Sequence, residues 1–420
     1  MSKLPEEMLV QILSRLPPRS LMRFKCIHMS WYTLINNPIF VDKHLFVSKH
    51  NKLSSFTTIL FKRYVLRNEN TDQKKTVLSL FNLFHNNDDG EGHHLDSVME
   101  ELHVPPSMRL KRMNDHCGLE FLELSGHCDG IICLTDFREN IVLCNPAIKE
   151  FKLLPLSSFH LSYPDGVYTS AVGFGYDLKS KCYKAVRVCE YGQDYNDKGL
   201  VTLPPKAEVY SLVTNSWKEI KADNLVKNTT VIWFHSWPEA AVPTYCKGII
   251  YWSGKRRVYR DYPGVDDDEH ELDLSNRIIS FHIVDETFHD IPCPDVGLLT
   301  RRAFGLWNES LTISSLGESE KDSIDIWVLD DIEETWTKYV TLRPVVNILY
   351  PLTLARKSEQ FLLVAIDECV VIFYNCCTGK FKYLPISGVF LNHYQAVSYV
   401  SSTVSIEGGN NVEEEISEGI

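Results

Sequence analysis

One element recurs five times along this chain of 420 residues: an apolar strand, a turn of three or four residues, an aromatic, then an apolar residue or a proline. It reads IVLCNPAIKEFKLLP over 141–155, AEVYSLVTNSWKEI over 207–220, IISFHIVDETFHDIP over 278–292, IDIWVLDDIEETWTKYV over 324–340 and VVIFYNCCTGKFKYLP over 370–385. The aromatic anchors Phe151, Trp217, Phe288, Trp336 and Phe381 lie 66, 71, 48 and 45 residues apart. A repeat of that length holds one four-stranded sheet, with insertions in the second and third copies, and such units survive only by stacking on one another. Paired strands precede several copies, at Gly130-Ile131-Ile132, Gly248-Ile249-Ile250-Tyr251-Trp252 and Phe361-Leu362-Leu363-Val364. Adding strands within 53–84, closed by Ala396-Val397-Ser398-Tyr399-Val400, predicts a β-propeller of about six blades, with the anchors as core residues in equivalent positions. A sandwich or an irregular β-solenoid built from the same hairpins is the alternative.

The first 46 residues follow a different period. Pro5 with Glu6 and Glu7 suits a first helical turn, and Met8, Leu9, Ile12, Leu13 and Leu16 share one face until Pro17-Pro18. Ser20 reads as the cap of a second helix carrying Leu21, Phe24 and Ile27, and Ser30 as the cap of a third bearing Trp31, Leu34 and Ile35. A fourth short helix holds Phe40, Val41 and Leu45. So small a bundle cannot hide this many large apolar side chains by itself. Packing on the rest of the chain and docking on an obligate partner are equally open from the pattern.

The run LPEEMLVQILSRLPPRSLMRFKCIHMSWYTLINNPIFVDKHL resembles the F-box motif, with Leu4-Pro5, Ile12-Leu13, Leu16-Pro17, Leu21, Phe24, Lys25-Cys26 and Trp31 in the expected order. The resemblance implies a helical module that docks through those residues on a Skp-type adaptor. The adaptor joins cullin and RING subunits in an SCF ubiquitin ligase. Farther on, Gly126-His127-Cys128-Asp129-Gly130, Leu143-Cys144-Asn145-Pro146-Ala147, Gly173-Phe174-Gly175-Tyr176-Asp177, Tyr183-Lys184 and Trp327-Val328 resemble the F-box-associated domain of plant F-box proteins. Within that family the chain looks most like the S-locus F-box group of pollen self-incompatibility, which implies a basic secreted ribonuclease, an S-RNase, as the substrate.

Charge agrees in sign. The net charge is 43 − 55 = −12, which argues against nucleic acid or an anionic membrane as the main partner. Residues 1–50 hold seven Lys/Arg against three acids, so they are +4 and the remainder −16. Asp266, Asp267, Asp268, Glu269 and Glu271 cluster between two predicted strands, either as a solvated run or as a docking surface for a basic protein. The cluster lacks the glycine and the spaced glutamate of a calcium loop.

Catalytic signatures are missing from the sequence. It has no P-loop, GxSxG or HExxH, and its 12 cysteines show no zinc spacing. Gly173-Phe174-Gly175 opens like a phosphate loop but lacks a third glycine, and Asp177 suits a turn between strands. His93-His94 sits in a polar connection. No cofactor or metal is expected. The opening Met1-Ser2-Lys3-Leu4-Pro5-Glu6-Glu7 does not read as a secretory signal, so cytoplasm, or nucleus as well, is the expected location.

The expected architecture is therefore α+β: a helical F-box over 1–46, a six-bladed kelch-like propeller over 47–405 that recognises substrate, and an acidic disordered tail over 406–420. Two rival functions remain. A lectin would present Trp233, Trp237 or Tyr245 to glycans, and a propeller enzyme would converge carboxylates or metal ligands on the channel.

Overall fold

The computed structural model describes residues 5–50, 56–68, 71–84, 97–102, 122–135, 140–157, 167–191, 193–196, 199–202, 205–222, 225–227, 230–234, 241–258, 275–294, 302–307, 309–316, 323–343, 348–355, 360–365, 371–375, 381–384 and 394–406. It opens with helices α1 (Glu6–Leu13), α2 (Pro18–Lys25), α3 (Met29–Asn36) and α4 (Pro38–His50). Pro18 occupies the first position of α2, where its missing N–H costs nothing, so the helix starts two residues before the expected Ser20 cap. The third helix is capped by His28, whose Nδ1 accepts the Ser30 N–H, rather than by Ser30. The fourth runs past residue 46 to His50.

Everything after α4 that has regular structure among the described residues is strand, apart from a one-residue 3₁₀ turn at Leu225. The strands are β1 (Phe56–Asn68), β2 (Thr71–Phe84) and β3 (Ser97–Leu102); β4 (Glu123–Cys128), β5 (Ile131–Thr135), β6 (Ile141–Asn145) and β7 (Glu150–Leu153); β8 (Val167–Asp177), β9 (Cys182–Tyr191), β10 (Gln193–Asn196), β11 (Gly199–Thr202), β12 (Lys206–Ser211) and β13 (Ser216–Ile220). There follow β14 (Val226–Lys227), β15 (Thr230–Phe234), β16 (Thr244–Cys246), β17 (Ile249–Val258), β18 (Ser275–His282) and β19 (Thr287–Pro292); then β20 (Arg302–Trp307), β21 (Ser310–Leu316), β22 (Ile324–Asp330) and β23 (Thr335–Leu342). Last come β24 (Ile348–Ala355), β25 (Gln360–Ala365), β26 (Val371–Asn375), β27 (Phe381–Leu384) and β28 (Gln395–Tyr399).

Five antiparallel sheets have four strands each, in the orders β28-β1-β2-β3, β4-β5-β6-β7, β8-β9-β12-β13, β20-β21-β22-β23 and β24-β25-β26-β27. A sixth holds β14 to β19, and β10-β11 is a separate hairpin. The first strands lie side by side, β4 by β8, β8 by β16, β16 by β20, β20 by β24 and β24 by β28. The Leu124 N–H of β4 donates to Gln395 Oε1 of β28 at 2.8 Å and closes the circuit. This is a propeller of meander sheets, with its last strand completing its first sheet.

The repeated element is the hairpin of the third and fourth strands. Each anchor sits on a fourth strand opposite the residue seven positions earlier: Phe151 faces Cys144, Trp217 faces Tyr210, Phe288 faces Phe281, Trp336 faces Leu329 and Phe381 faces Tyr374. Two residues before four of them, Lys149, Asn215, Glu286 and Glu334 adopt positive φ of 51° to 59° to turn the chain. Phe151 and Phe288 are buried, as expected. Trp217 and Trp336, expected as core, are only half-buried. Their Nε1–H groups donate at 2.8 Å to the carbonyls of Pro155 and Pro292, which end the preceding sheets. The motif's proline and its tryptophan thus latch neighbouring sheets together.

The two glycines that open like a phosphate loop are packing positions on β8. A Cβ on Gly173 would run into the Trp252 ring, and one on Gly175 into the Tyr245 ring. Asp177 closes the strand as the sequence predicts: its Oδ1 accepts the N–H of Lys179 at 2.8 Å and of Ser180 at 3.2 Å. Asp129 and Gly130, with φ of 54° and 88°, form the tight turn between β4 and β5. Asn145 has the least expected role. Its buried Nδ2 donates to the carbonyls of Ser402 at 3.2 Å and Val404 at 2.7 Å, stapling the C-terminal segment onto the second sheet.

Candidate functional site: two opposite ends

Leu13, Leu21, Ile35 and Phe40 form the centre of the helical segment, with Leu9, Val10, Leu16, Met22, Phe24, Trp31 and Leu34 packed around it. Phe24 and Trp31 meet edge to face at 5.2 Å. His44 of α4 is buried against this core, with its Nε2–H donating to the Leu16 carbonyl at 3.0 Å. Burial pushes its imidazole below the usual range, partly opposed by that bond.

The adaptor residues expected from the sequence therefore divide by position. Leu13 and Leu21, 2% and 0% exposed, lie inside and hold the helices together. Ile12 is exposed, as are Pro5, Pro17 and Cys26, while Leu16, Phe24, Lys25 and Trp31 are half-buried. Lys25 has Glu150 of the second sheet as its electrostatic neighbour; burial pushes its ammonium down and Glu150 opposes this. Leu4 lies outside the described residues. The open apolar surface is carried instead by Met8, Ile12, Ile27, Met29, Tyr32 and Ile39, each between 49% and 77% exposed. Five of these, Met8, Ile27, Met29, Tyr32 and Ile39, had no place in the expected set. Their signal was a residue of apolar side chains left over once the helical stripes were filled.

The same helices are anchored on their other side. Val41 and Leu45 of α4 pack into the cluster of Ile131, Tyr210, Val404 and Ile406 in the β domain. One turn on, Lys49 pairs with Asp129, whose other oxygen accepts the Tyr183 hydroxyl at 3.0 Å. Arg19 pairs with Glu100 on β3. Positions 41, 45 and 49 are one helical face. The apolar surface of the helices thus has both of the covers that the pattern left open: part packs on this chain, and part stays exposed.

Topology fixes what lies at the other end. In a four-stranded meander the first and third connections share one end, and the second connection and the exit share the opposite end. The α4 contacts include Asp129, in a first connection, so the helices sit at that end. The second connections, from β9 to β12 and from β17 to β18, open at the far end. The chain leaves Val258 and returns at Ser275 there, and between them run Asp266, Asp267, Asp268, Glu269 and Glu271, outside the described residues. His93, His94, Trp237 and the tail 407–420 also lie outside them. Tyr245 is spoken for: it packs on Gly175 and its hydroxyl donates to the Tyr176 carbonyl at 2.8 Å.

A family model described as the F-box domain matches residues 1–43, and one described as the F-box associated beta propeller domain matches residues 92–406. The chain belongs to the F-box-associated family of F-box proteins. It is 24% identical to the F-box/kelch-repeat protein At3g23880 of Arabidopsis thaliana, over 96% of this chain and 95% of that one. It is also 24% identical to the F-box protein CPR1 of the same plant, over 96% and 89%. An oligogalacturonate lyase structure with manganese aligns at a TM-score of 0.36 and 9% identity, over 81% of this chain and 89% of that one. An F-box implies binding of a Skp-type adaptor and the place of substrate receptor in an SCF ubiquitin ligase. Members of this family are typically non-catalytic receptors.

Proposed function

We propose that this F-box protein captures a basic protein substrate at the propeller end remote from its helices and presents it for ubiquitination and degradation. An S-RNase in pollen self-incompatibility is the substrate suggested by the S-locus resemblance. The observation that carries the reading is the division of the helical surface: one side is locked onto the propeller through Val41, Leu45 and Lys49, and the other leaves Ile12, Met29 and Tyr32 open. That arrangement holds substrate and adaptor at opposite ends of one body. The receptor then acts by raising the effective concentration of substrate lysines at the ubiquitin carrier. We take the sixth sheet, with β16 to β19 as its meander, to be a further blade, giving six. The basic-cargo reading rests on the −12 net charge and on the acidic run Asp266 to Glu271, which lies in sequence between the far-end strand termini Val258 and Ser275. A cytoplasmic or nuclear setting goes with the adaptor.

The test is co-purification from pollen extract. The wild-type chain should recover a Skp-type adaptor, and Met29→Arg or Ile12→Arg should lose it while keeping the wild-type melting temperature, since both side chains are exposed. A basic ribonuclease should be recovered by both. Its capture should weaken with added salt and with Asp266, Asp267, Asp268 and Glu269 changed to Asn or Gln. Undiminished adaptor capture by Met29→Arg and Ile12→Arg together would refute the assigned face.

A further inference from the structure

The sheet β20 to β23 ends, on the side away from the helices, in a row of four polar residues, one per strand. Arg302 is in register with Ser315, Ser315 with Asp325, and Asp325 with Thr341. Below the row this face carries Phe304, Leu311, Ile313 and Leu329, which cluster with Tyr251, Ile278 and Ile291, together with Lys338, whose ammonium lies over the Trp327 ring at 5.7 Å. Trp327 lies one step below the row, opposite Ile313.

Half of the row is internally satisfied. Asp325 accepts the Thr341 hydroxyl at 2.6 Å and pairs with Lys338 Nζ at 2.8 Å, so its charge is cancelled. The other half is not. Arg302 Nη1 donates to Cys293 Sγ at 3.0 Å, across the two ends of the connection between the sheets, and Arg302 has no carboxylate partner among the described residues. Among the described residues, its Nε, the Ser315 hydroxyl and the Trp327 indole Nε1 are shielded from solvent and have no hydrogen-bond partner. Closing the base of a connection accounts for the bond to Cys293. It does not account for a guanidinium left without an anion beside two neutral donors, an arrangement that costs free energy unless something accepts those hydrogens.

We propose that this corner at the far end of the sheet, where Arg302 and Ser315 are cross-strand partners and Trp327 stands one step below on the next strand, receives a carboxylate side chain of the bound protein. One uncompensated positive charge with two neutral donors matches a monoanion. A phosphate dianion would bring a second charge for which the row offers no further free cation among the described residues, since Lys338 is taken by Asp325. The inference deepens the substrate-receptor reading and rests on it for the source of the carboxylate. A cargo that is basic overall would then be registered by one acidic residue placed to enter this corner.

The experiment uses the full chain bound to its adaptor, labelled with ¹⁵N at tryptophan, and the indole resonance that vanishes in Trp327→Phe. N-acetylglutamate amide, N-acetylglutamine amide and N-acetylphosphoserine amide are titrated at constant ionic strength. The glutamate probe should shift that resonance saturably, and the glutamine probe should need about ten times the concentration or more. Arg302→Gln should remove the difference. Because the comparison of probes is made in the wild-type chain, it stands even if Arg302→Gln folds poorly. Equal responses to glutamate and glutamine, or a tighter response to phosphoserine, would overturn the proposal. Neither ubiquitination nor cargo enters the measurement, so its failure leaves the receptor reading to its own test.

Discussion

Asp177 shows how one carboxylate organises a strand end and a neighbouring sheet. Burial pushes its carboxyl up, but the Ser180 hydroxyl and the Lys184 ammonium, with the N–H groups of Ser180 and Lys179, outweigh it and hold it at about 2. Lys184 continues to Glu286 at 3.2 Å, and Glu286 to Lys218 at 2.8 Å. The folded value lies below the roughly 3.9 of an unfolded chain, so the stabilisation is whole above pH ~4 and is lost as pH falls toward 2. Asp177→Asn should lower the melting temperature at pH 7, and the gap from wild type should narrow only below pH ~4. A gap that changed between pH 7 and 5 would point to another group. At Trp336, removing only the N–H separates the latch from the packing. Trp336→Phe should cost about 0.5–1.5 kcal/mol for the bond to Pro292, and Trp336→Ala more, though less than the ~3–5 kcal/mol of a fully buried tryptophan. Urea denaturation of the two variants distinguishes these contributions.

At the scale of elements, β8 is shaped by what the adjoining sheet pushes against it. Trp252 donates its indole N–H to the Val172 carbonyl at 3.1 Å, and its ring occupies the space that a side chain at 173 would need. Gly173→Ala and Gly175→Ala should each destabilise the protein by about 1–3 kcal/mol through overpacking, read as a lower midpoint in urea with an unchanged slope. No phosphate-binding defect is involved. These glycines also mark where the sequence was legible. The turn, the positive-φ residue and the aromatic recur in one register because a hairpin end is decided locally, so Phe151 and Phe288 could be placed from spacing alone. What the glycines pack against is non-local, and a G-x-G pattern looks the same over a ring as over a phosphate. Helix starts were misplaced by a related competition: proline at the first position of α2 and the His28 side chain at α3 did the work assigned to Ser20 and Ser30. The pairing of β14 with β15, and of β15 with β17, left no periodic trace because two-residue and five-residue strands are too short to show a period. On the helices, amphipathic spacing gave the buried stripe, Leu13 and Leu21 included, while the F-box resemblance marked those same residues as adaptor contacts.

For the whole molecule, the sequence drew a boundary at residue 46 that the packing crosses. On that reading the β domain folds without its helices; the contacts that cross the boundary say what it loses with them. Val41 and Leu45 fill part of the core cluster that contains Ile131, Tyr210 and Ile406, and Lys49 is the cation beside Asp129, whose side chain is only 10% exposed. Removing the helices uncovers that apolar surface and leaves Asp129 with the Tyr183 hydroxyl but without its positive partner. Two half-buried aliphatic side chains and one shielded ion pair together stabilise by about 2–4 kcal/mol. A chain beginning at residue 51 should therefore fold, since the ring is closed by β28 rather than by the helices, but melt several degrees below the full chain. Leu45→Ala in the full chain should reproduce part of that loss while leaving adaptor binding intact, because Leu45 faces the β domain and Met29 and Ile12 do not. Identical melting of the truncated and full chains would mean that α4 merely rests on the propeller, and the fixed distance between adaptor and substrate would lose its physical basis.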